Sequence, residues 1–354
     1  MRRICRMVLA GLMSICVPSV VPASPVAAQS TLTLVVSQKY GWEDLTEADR
    51  PLTAKEKVVG GGVLSVVGDF AVGADGRVYV PDGPNHKIVV FNASGSLNSV
   101  LGGDGDGPGE LRRPVRVTLD DKGAAYVYDM QTNRISHFGP RGEFVRTFAF
   151  PGSNATNLDW AAGLLWADRW VTGAKRSLLA LDEKTGAVRD SALVLTAQEL
   201  DIATHGSPPR IYSDGRSIFA ASPVPGTWYP ISPPGNVRGK VRFPDARGYT
   251  RTIGSTSGVR TVTDQVRGFA VRPDGSAVLV YMHRTKLAER RGETPQDVTT
   301  LEIIAPNGTS RGSYSFPDGV YVFGVVLRGE DMYVGVTDEV PQVWRVRLQQ
   351  RTPQ

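Results

Sequence analysis

One short phrase recurs six times along this chain: an alternating apolar segment, a tight turn centred on glycine, and a second alternating segment. The clearest copies are F-A-V-G-A-D-G-R-V-Y-V, ending at Val80, and V-T-L-D-D-K-G-A-A-Y-V, ending at Val127. Looser copies follow as L-D-W-A-A-G-L-L-W-A, R-I-Y-S-D-G-R-S-I-F-A, F-A-V-R-P-D-G-S-A-V-L-V and F-G-V-V-L-R-G-E-D-M-Y-V. Their turn glycines are Gly76, Gly123, Gly163, Gly215, Gly275 and Gly329, so successive copies are 47, 40, 52, 60 and 54 residues apart. A period near fifty, with alternation of two and no helical periodicity, matches the blade of a β-propeller.

A second mark fixes the register within each unit. Further strand segments, K-I-V-V-F, R-I-S-H-F, S-L-L-A-L and L-E-I-I-A, are followed, directly or at the equivalent point, by Gly95, Gly142, Gly186, Gly235 and Gly308. Each unit therefore reads strand, turn, strand, loop, strand, turn, strand: a four-stranded antiparallel meander. One such sheet cannot bury both apolar faces, whereas six stacked radially can. The expected fold is all-β, a six-bladed propeller formed by residues 29–354 as one domain. The last unit ends with V-W-R-V-R-L and lacks a clear fourth strand. Thr31–Val36, T-L-T-L-V-V, is read as completing that blade and closing the ring, in preference to a loose strand beside the first unit. Glycine, 39 of 354 residues, exceeds the usual ~7% because tight strand connections call for positive φ.

Residues 1–28 stand apart from this pattern. Arg2, Arg3 and Arg6 precede an apolar run, Met7 to Val17, and a Pro-containing segment ends in V-A-A before Gln29. This is the composition of a secretory signal peptide, with an apolar run too short to span a bilayer. Removing its three arginines from 40 basic residues leaves 37 against 35 acidic ones, so no nucleic-acid partner is indicated. Cys5 and Cys16 leave with the same segment, and the mature chain carries no thiol. A periplasmic or extracellular monomer without a later transmembrane segment is the expectation.

The stretch G-D-G-P-G-E-L-R-R-P-V-R-V-T-L-D-D-K-G-A-A-Y-V-Y-D-M-Q-T-N-R-I-S-H-F, Gly105 to Phe138, resembles the NHL-repeat superfamily. There the order is a Gly-rich entry, Pro, strand, Asp-Gly turn, strand, Asp, Asn-Arg-Ile, strand. The first unit, through Gly95, fits as well; later units keep the spacing and lose the Asn-Arg/Lys-Ile portion. The resemblance implies a six-bladed propeller in which Asp82 and Asp129 organise local turns, with Asp168 at the equivalent place in the third unit.

For function, the two internal glycine turns of each unit share one face, and the more variable loops share the other. Binding residues usually ride on variable loops held by a rigid scaffold. Trp170, Trp228, Tyr229, Arg251 and Arg290 lie in or near such segments and are the candidates for holding a protein, peptide, glycan or small solute. His205 and His283, near variable loops, are the catalytic candidates of an alternative reading, a hydrolase or lyase acting at the channel mouth. His86 and His137 read as structural. No cofactor is expected. Under the alternative, Ca2+ or Zn2+ would need clustered ligands, for which Asp82, Asp129 and Asp168 are the available set. The run Gly102–Glu110 alternates Asp with Gly but lacks the ligand series of a calcium loop and matches the family's interblade connection.

Overall fold

The computed structural model describes residues 32–41, 64, 68–171, 175–193, 210–221, 227–232, 236–237, 241–242, 250–255, 258–263, 265–286, 296–337 and 341–350. The chain's first strand is β1 (Leu32–Tyr40). The first blade then follows as β2 (Ala71–Val72), β3 (Val78–Asp82), β4 (Lys87–Phe91) and β5 (Leu97–Gly102). The second is β6 (Pro114–Leu119), β7 (Ala125–Asp129), β8 (Arg134–Phe138) and β9 (Phe144–Ala149). The third is β10 (Leu158–Ala161), β11 (Leu164–Val171), β12 (Lys175–Asp182) and β13 (Val188–Leu193).

In the fourth blade β14 (Arg210–Ser213), β15 (Ile218–Ala221) and β16 (Thr227–Ser232) are followed by two short pieces, β17 (Asn236–Val237) and β18 (Val241–Arg242), which both pair with β16. A separate hairpin comes next, β19 (Thr250–Ser255) and β20 (Gly258–Thr263). The fifth blade is β21 (Gln265–Val271), β22 (Ala277–Lys286), β23 (Gln296–Ile304) and β24 (Ser310–Ser315). The sixth is β25 (Tyr321–Arg328), β26 (Asp331–Thr337) and β27 (Pro341–Gln350), with β1 paired antiparallel along β27 from Leu32–Gln350 to Tyr40–Val343. The fold is a six-bladed all-β propeller of antiparallel, essentially four-stranded blades.

Local chemistry produces this unit. In blade one the first turn is held by Gly73 N–H to the Arg77 carbonyl (2.8 Å) and the third by Asn92 N–H to the Ser96 carbonyl (2.8 Å). Blade two repeats both bonds, from Asp120 to Ala124 (3.0 Å) and from Gly139 to Glu143 (2.7 Å). Ten of the glycines that mark turns in the sequence adopt positive φ: Gly76, Gly95, Gly123, Gly142, Gly163, Gly186, Gly215, Gly275, Gly308 and Gly329. Gly235 lies outside the described residues.

The middle strands face neighbours on both sides, so β3 and β7 are buried at every position. The outer strand β9 alternates partly buried and exposed residues instead. Buried apolar clusters sit between consecutive blades. Ile88, Val90 and Leu111 meet Val117 and Val127 between blades one and two. Trp166 and Leu178 meet Ile218 and Ile231 between blades three and four. Tyr40, Phe91 and Tyr333 share a cluster between blades six and one. At about 25 cal/mol per Å2 of apolar area removed from water, these interblade faces are the main stabilising term.

Candidate functional site

The innermost strands of the blades surround an axial channel. Its lining includes Asp69, Arg116, Asp159, Arg210, Arg267 and Arg328, and its inner cavity is about 90 Å3. Three of these residues hold equivalent positions at the start of their blades. Asp69, Arg116 and Arg210 each lie three residues before the last residue paired to the second strand, which is Val72, Leu119 or Ser213. Arg267 arrives differently. The pairing of β21 with β22 shifts between Val266 and Gly268, so Arg267 is the extra residue of a bulge, a device that re-aims side chains.

Most of these charges stitch one blade to the next. Asp69 Oδ2 accepts the Val117 N–H (3.0 Å). Arg116 donates from Nε to the Thr156 carbonyl (2.6 Å) and from Nη1 to the Val115 carbonyl (2.7 Å). Asp159 Oδ1 accepts the Thr118 hydroxyl (3.2 Å) and the Trp160 N–H (2.9 Å). The Ser213 hydroxyl donates to the Trp160 carbonyl (2.5 Å), and the Ile211 N–H to Asn157 Oδ1 (3.3 Å). Arg328 Nε donates to the Val72 carbonyl (2.6 Å), joining blade six to blade one.

Burial dominates the titration of Asp69, Asp159 and Arg210. It raises the Asp69 carboxyl, against the pull of Arg116 and the Val117 N–H. It raises Asp159 to about 6, opposed by the Trp160 N–H, Arg328 and Thr118. Arg210 is lowered to about 10, first by burial and then by repulsion from Arg116 and Arg267, so it stays charged at neutral pH. Arg210 Nε is buried without a hydrogen-bond partner.

The channel opens into a cup of about 880 Å3, and Asp159, Ser213 and Arg328 line both spaces. The cup is built by glycine turns, with Asp75, Arg77, Asp120, Lys122, Glu183 and Arg216 around it. It therefore opens on the face of uniform turns, opposite the variable loops that sequence reasoning favoured.

The individual candidates fall in several places. Trp228 is buried at 4% exposure and packs against Phe269, with ring centroids 5.7 Å apart, between blades four and five. Trp170, Tyr229 and Arg251 lie on β11, β16 and β19 by backbone; their side chains are outside the description. Arg290 and His205 lie outside the described residues. His283 is half-buried near the far end of β22, its ring 6.1 Å from that of Tyr281.

Asp82, Asp129 and Asp168 belong to three blades, and each is engaged in its own loops. Asp129 accepts the N–H groups of Arg112 (2.6 Å), Arg113 (3.0 Å), Gln131 (3.0 Å) and Thr132 (3.0 Å). Asp168 accepts those of Thr156 (2.8 Å) and Asn157 (2.7 Å), and Asp82 accepts the Asn85 amide (3.0 Å). Among the described residues no group of three or more His, Cys, Asp or Glu is placed to hold a metal ion. In the Gly102–Glu110 run, Arg112 forks between Asp104 and Asp106, both at 2.8 Å. His137 stacks on Tyr126 with centroids 4.4 Å apart, and burial lowers its pKa.

The axial charges were the residues missed. Their signal is a charged residue inside otherwise apolar first strands, as in D-F-A-V, R-V-T-L and R-I-Y-S.

A family model, DUF5128, described as a 6-bladed beta-propeller, matches residues 71–231. A member of the DUF4221 family from Bacteroides vulgatus is similar in structure, with a TM-score of 0.56 at 12% identity, covering 91% of this chain and 100% of that one. A Bacteroides fragilis protein described as exported has a TM-score of 0.54 at 13% identity, over 92% of this chain and 98% of its own. A catalytically inactive virginiamycin B lyase from Staphylococcus aureus, solved with quinupristin, gives 0.51 at 12% identity, over 90% and 100%. No curated protein matches the sequence. At these identities the likeness is one of fold. Among the described residues no helix is long and apolar enough to cross a membrane.

Proposed function

We propose that this chain is an exported propeller of the NHL kind that works by binding, taking a soluble peptide, glycan or polar solute at the axial cup. The observation that supports this reading is the use made of the axial charges. Asp69, Arg116, Asp159 and Arg328 each hold a backbone or hydroxyl group, largely of an adjacent blade. Groups fixed in this way present a fixed arrangement of side chains to a ligand, whereas acid–base catalysis needs a group free to reach the reacting proton. The cup has the volume of a ligand site and interleaves carboxylates with cations around its rim. Residues 1–28 supply the export signal, and the exported Bacteroides fragilis relative is in keeping with it. The variable face remains a second binding surface of this reading, through Trp170, Tyr229, Arg251 and Arg290.

Calorimetric screening of the full exported chain against peptides, glycans and polar solutes tests the proposal. The double variant Lys122→Glu, Arg216→Glu inverts two exposed rim charges. A ligand that binds the native protein, weakens about tenfold or more in this variant, and is recovered unaltered would support cup binding. A ligand recovered as product would replace it with the lyase or hydrolase reading, for which His205 and His283 are the residues to substitute.

A further inference from the structure

The lining of the inner channel carries more cationic than anionic side chains. Its described lining holds four arginines, Arg116, Arg210, Arg267 and Arg328, against two aspartates, Asp69 and Asp159. The aspartates are already engaged: Asp69 Oδ2 takes the Val117 N–H, and Asp159 Oδ1 takes two donors, the Thr118 hydroxyl and the Trp160 N–H. Like charges gathered in a narrow channel are costly unless an opposite charge joins them. Arg210 shows the need most clearly, because its Nε is buried and has no hydrogen-bond partner. The cavity beside these groups, about 90 Å3, is well above the roughly 10–15 Å3 that one water requires.

We infer that the inner channel is a binding site for one small oxyanion, a phosphate, sulfate or carboxylate group, held by Arg210 together with Arg116 and Arg267. The three guanidinium groups come from blades two, four and five, so only the closed arrangement of blades gathers them. Guanidinium forks suit oxyanions, offering charge and paired N–H donors in one plane. Entry runs from the cup past Asp159, Ser213 and Arg328, which line both spaces. The site lies beneath the cup and stands whether or not the cup takes a partner.

The test uses the full exported chain in a buffer whose only anion is a bulky sulfonate, titrated calorimetrically with inorganic phosphate, sulfate and acetate. The expected result is saturable one-to-one binding of at least one probe, matched by a rise in Tm that levels off at saturation. Preference for phosphate or sulfate assigns an inorganic source, and preference for acetate a carboxylate. Excluded salts also stabilise proteins, but without saturation. Arg210→Gln, which keeps much of the side-chain bulk and loses the charge, should lower affinity about tenfold or more, while Arg141→Gln at an exposed turn should not. Arg267→Gln serves as the second variant. Absence of saturable binding for all three probes, or unchanged affinity in both channel variants, would overturn the assignment.

Discussion

Asp159 stands where the channel meets the cup, and burial lifts its carboxyl to about 6. An unfolded aspartate titrates near ~3.9, so the unfolded chain releases this proton first as pH rises. Between about pH 4 and 6 the folded state holds more of the proton, and Asp159 therefore lowers stability progressively across that window. Asp159→Asn should be as stable as the native protein near pH 4 and relatively more stable by pH 6.5, as read from urea midpoints. A constant difference across the window would contradict this. Asp129 behaves oppositely: burial alone would raise it, but the N–H donors of Thr132, Arg112 and Arg113 outweigh burial and lower it. Asp129→Ala leaves those donors unmet and should cost about 2–3 kcal/mol in chemical denaturation, with Asp129→Asn costing less. The role of Asp129 was legible in the sequence because its partners are neighbours in the repeat. The gathering of Arg116, Arg210 and Arg267 was not, because those residues approach one another only when distant blades stand round one axis.

At the scale of the element, the turn glycines do two different jobs. A Cβ on Gly123, at φ +83, would meet nothing within 4 Å, whereas one on Gly142, at φ +87, would lie 2.7 Å from Leu101 Cδ2. Gly123→Ala should therefore cost only the left-handed backbone penalty, about 1–2 kcal/mol. Gly142→Ala should cost about 1 kcal/mol more, because it also pushes into the contact between blades two and one. Denaturant midpoints of the two variants give the comparison, and equal losses would contradict it. These turns were the most legible part of the chain, since a positive φ leaves a direct mark on residue choice. The β19–β20 hairpin was not foreseen. Its Thr, Ile and Val residues favour strands, but it lies between blades four and five, where the fifty-residue spacing requires no strand.

At the scale of the molecule, six sheets depend on one another because each buries its faces only against its neighbours. Tyr40, the last residue of β1, is fully buried between blades six and one, with its ring against Phe91 and Tyr333 and its hydroxyl donating to the Ala93 carbonyl (3.1 Å). Tyr40→Phe should lose about 1 kcal/mol with that bond. Tyr40→Ala should lose about 3–5 kcal/mol by emptying the space between the two blades. If the two variants unfold at the same urea concentration, the ring of Tyr40 is not the packing element described.

Crystallography with selenate as the anion probes the charged axis itself. Selenate scatters anomalously and has the size and charge of sulfate. The expected result is six blades and a single strong anomalous peak inside the channel, bounded by Arg116, Arg210 and Arg267. A channel filled with water alone, with those guanidinium groups turned onto Asp69 and Asp159, would contradict it.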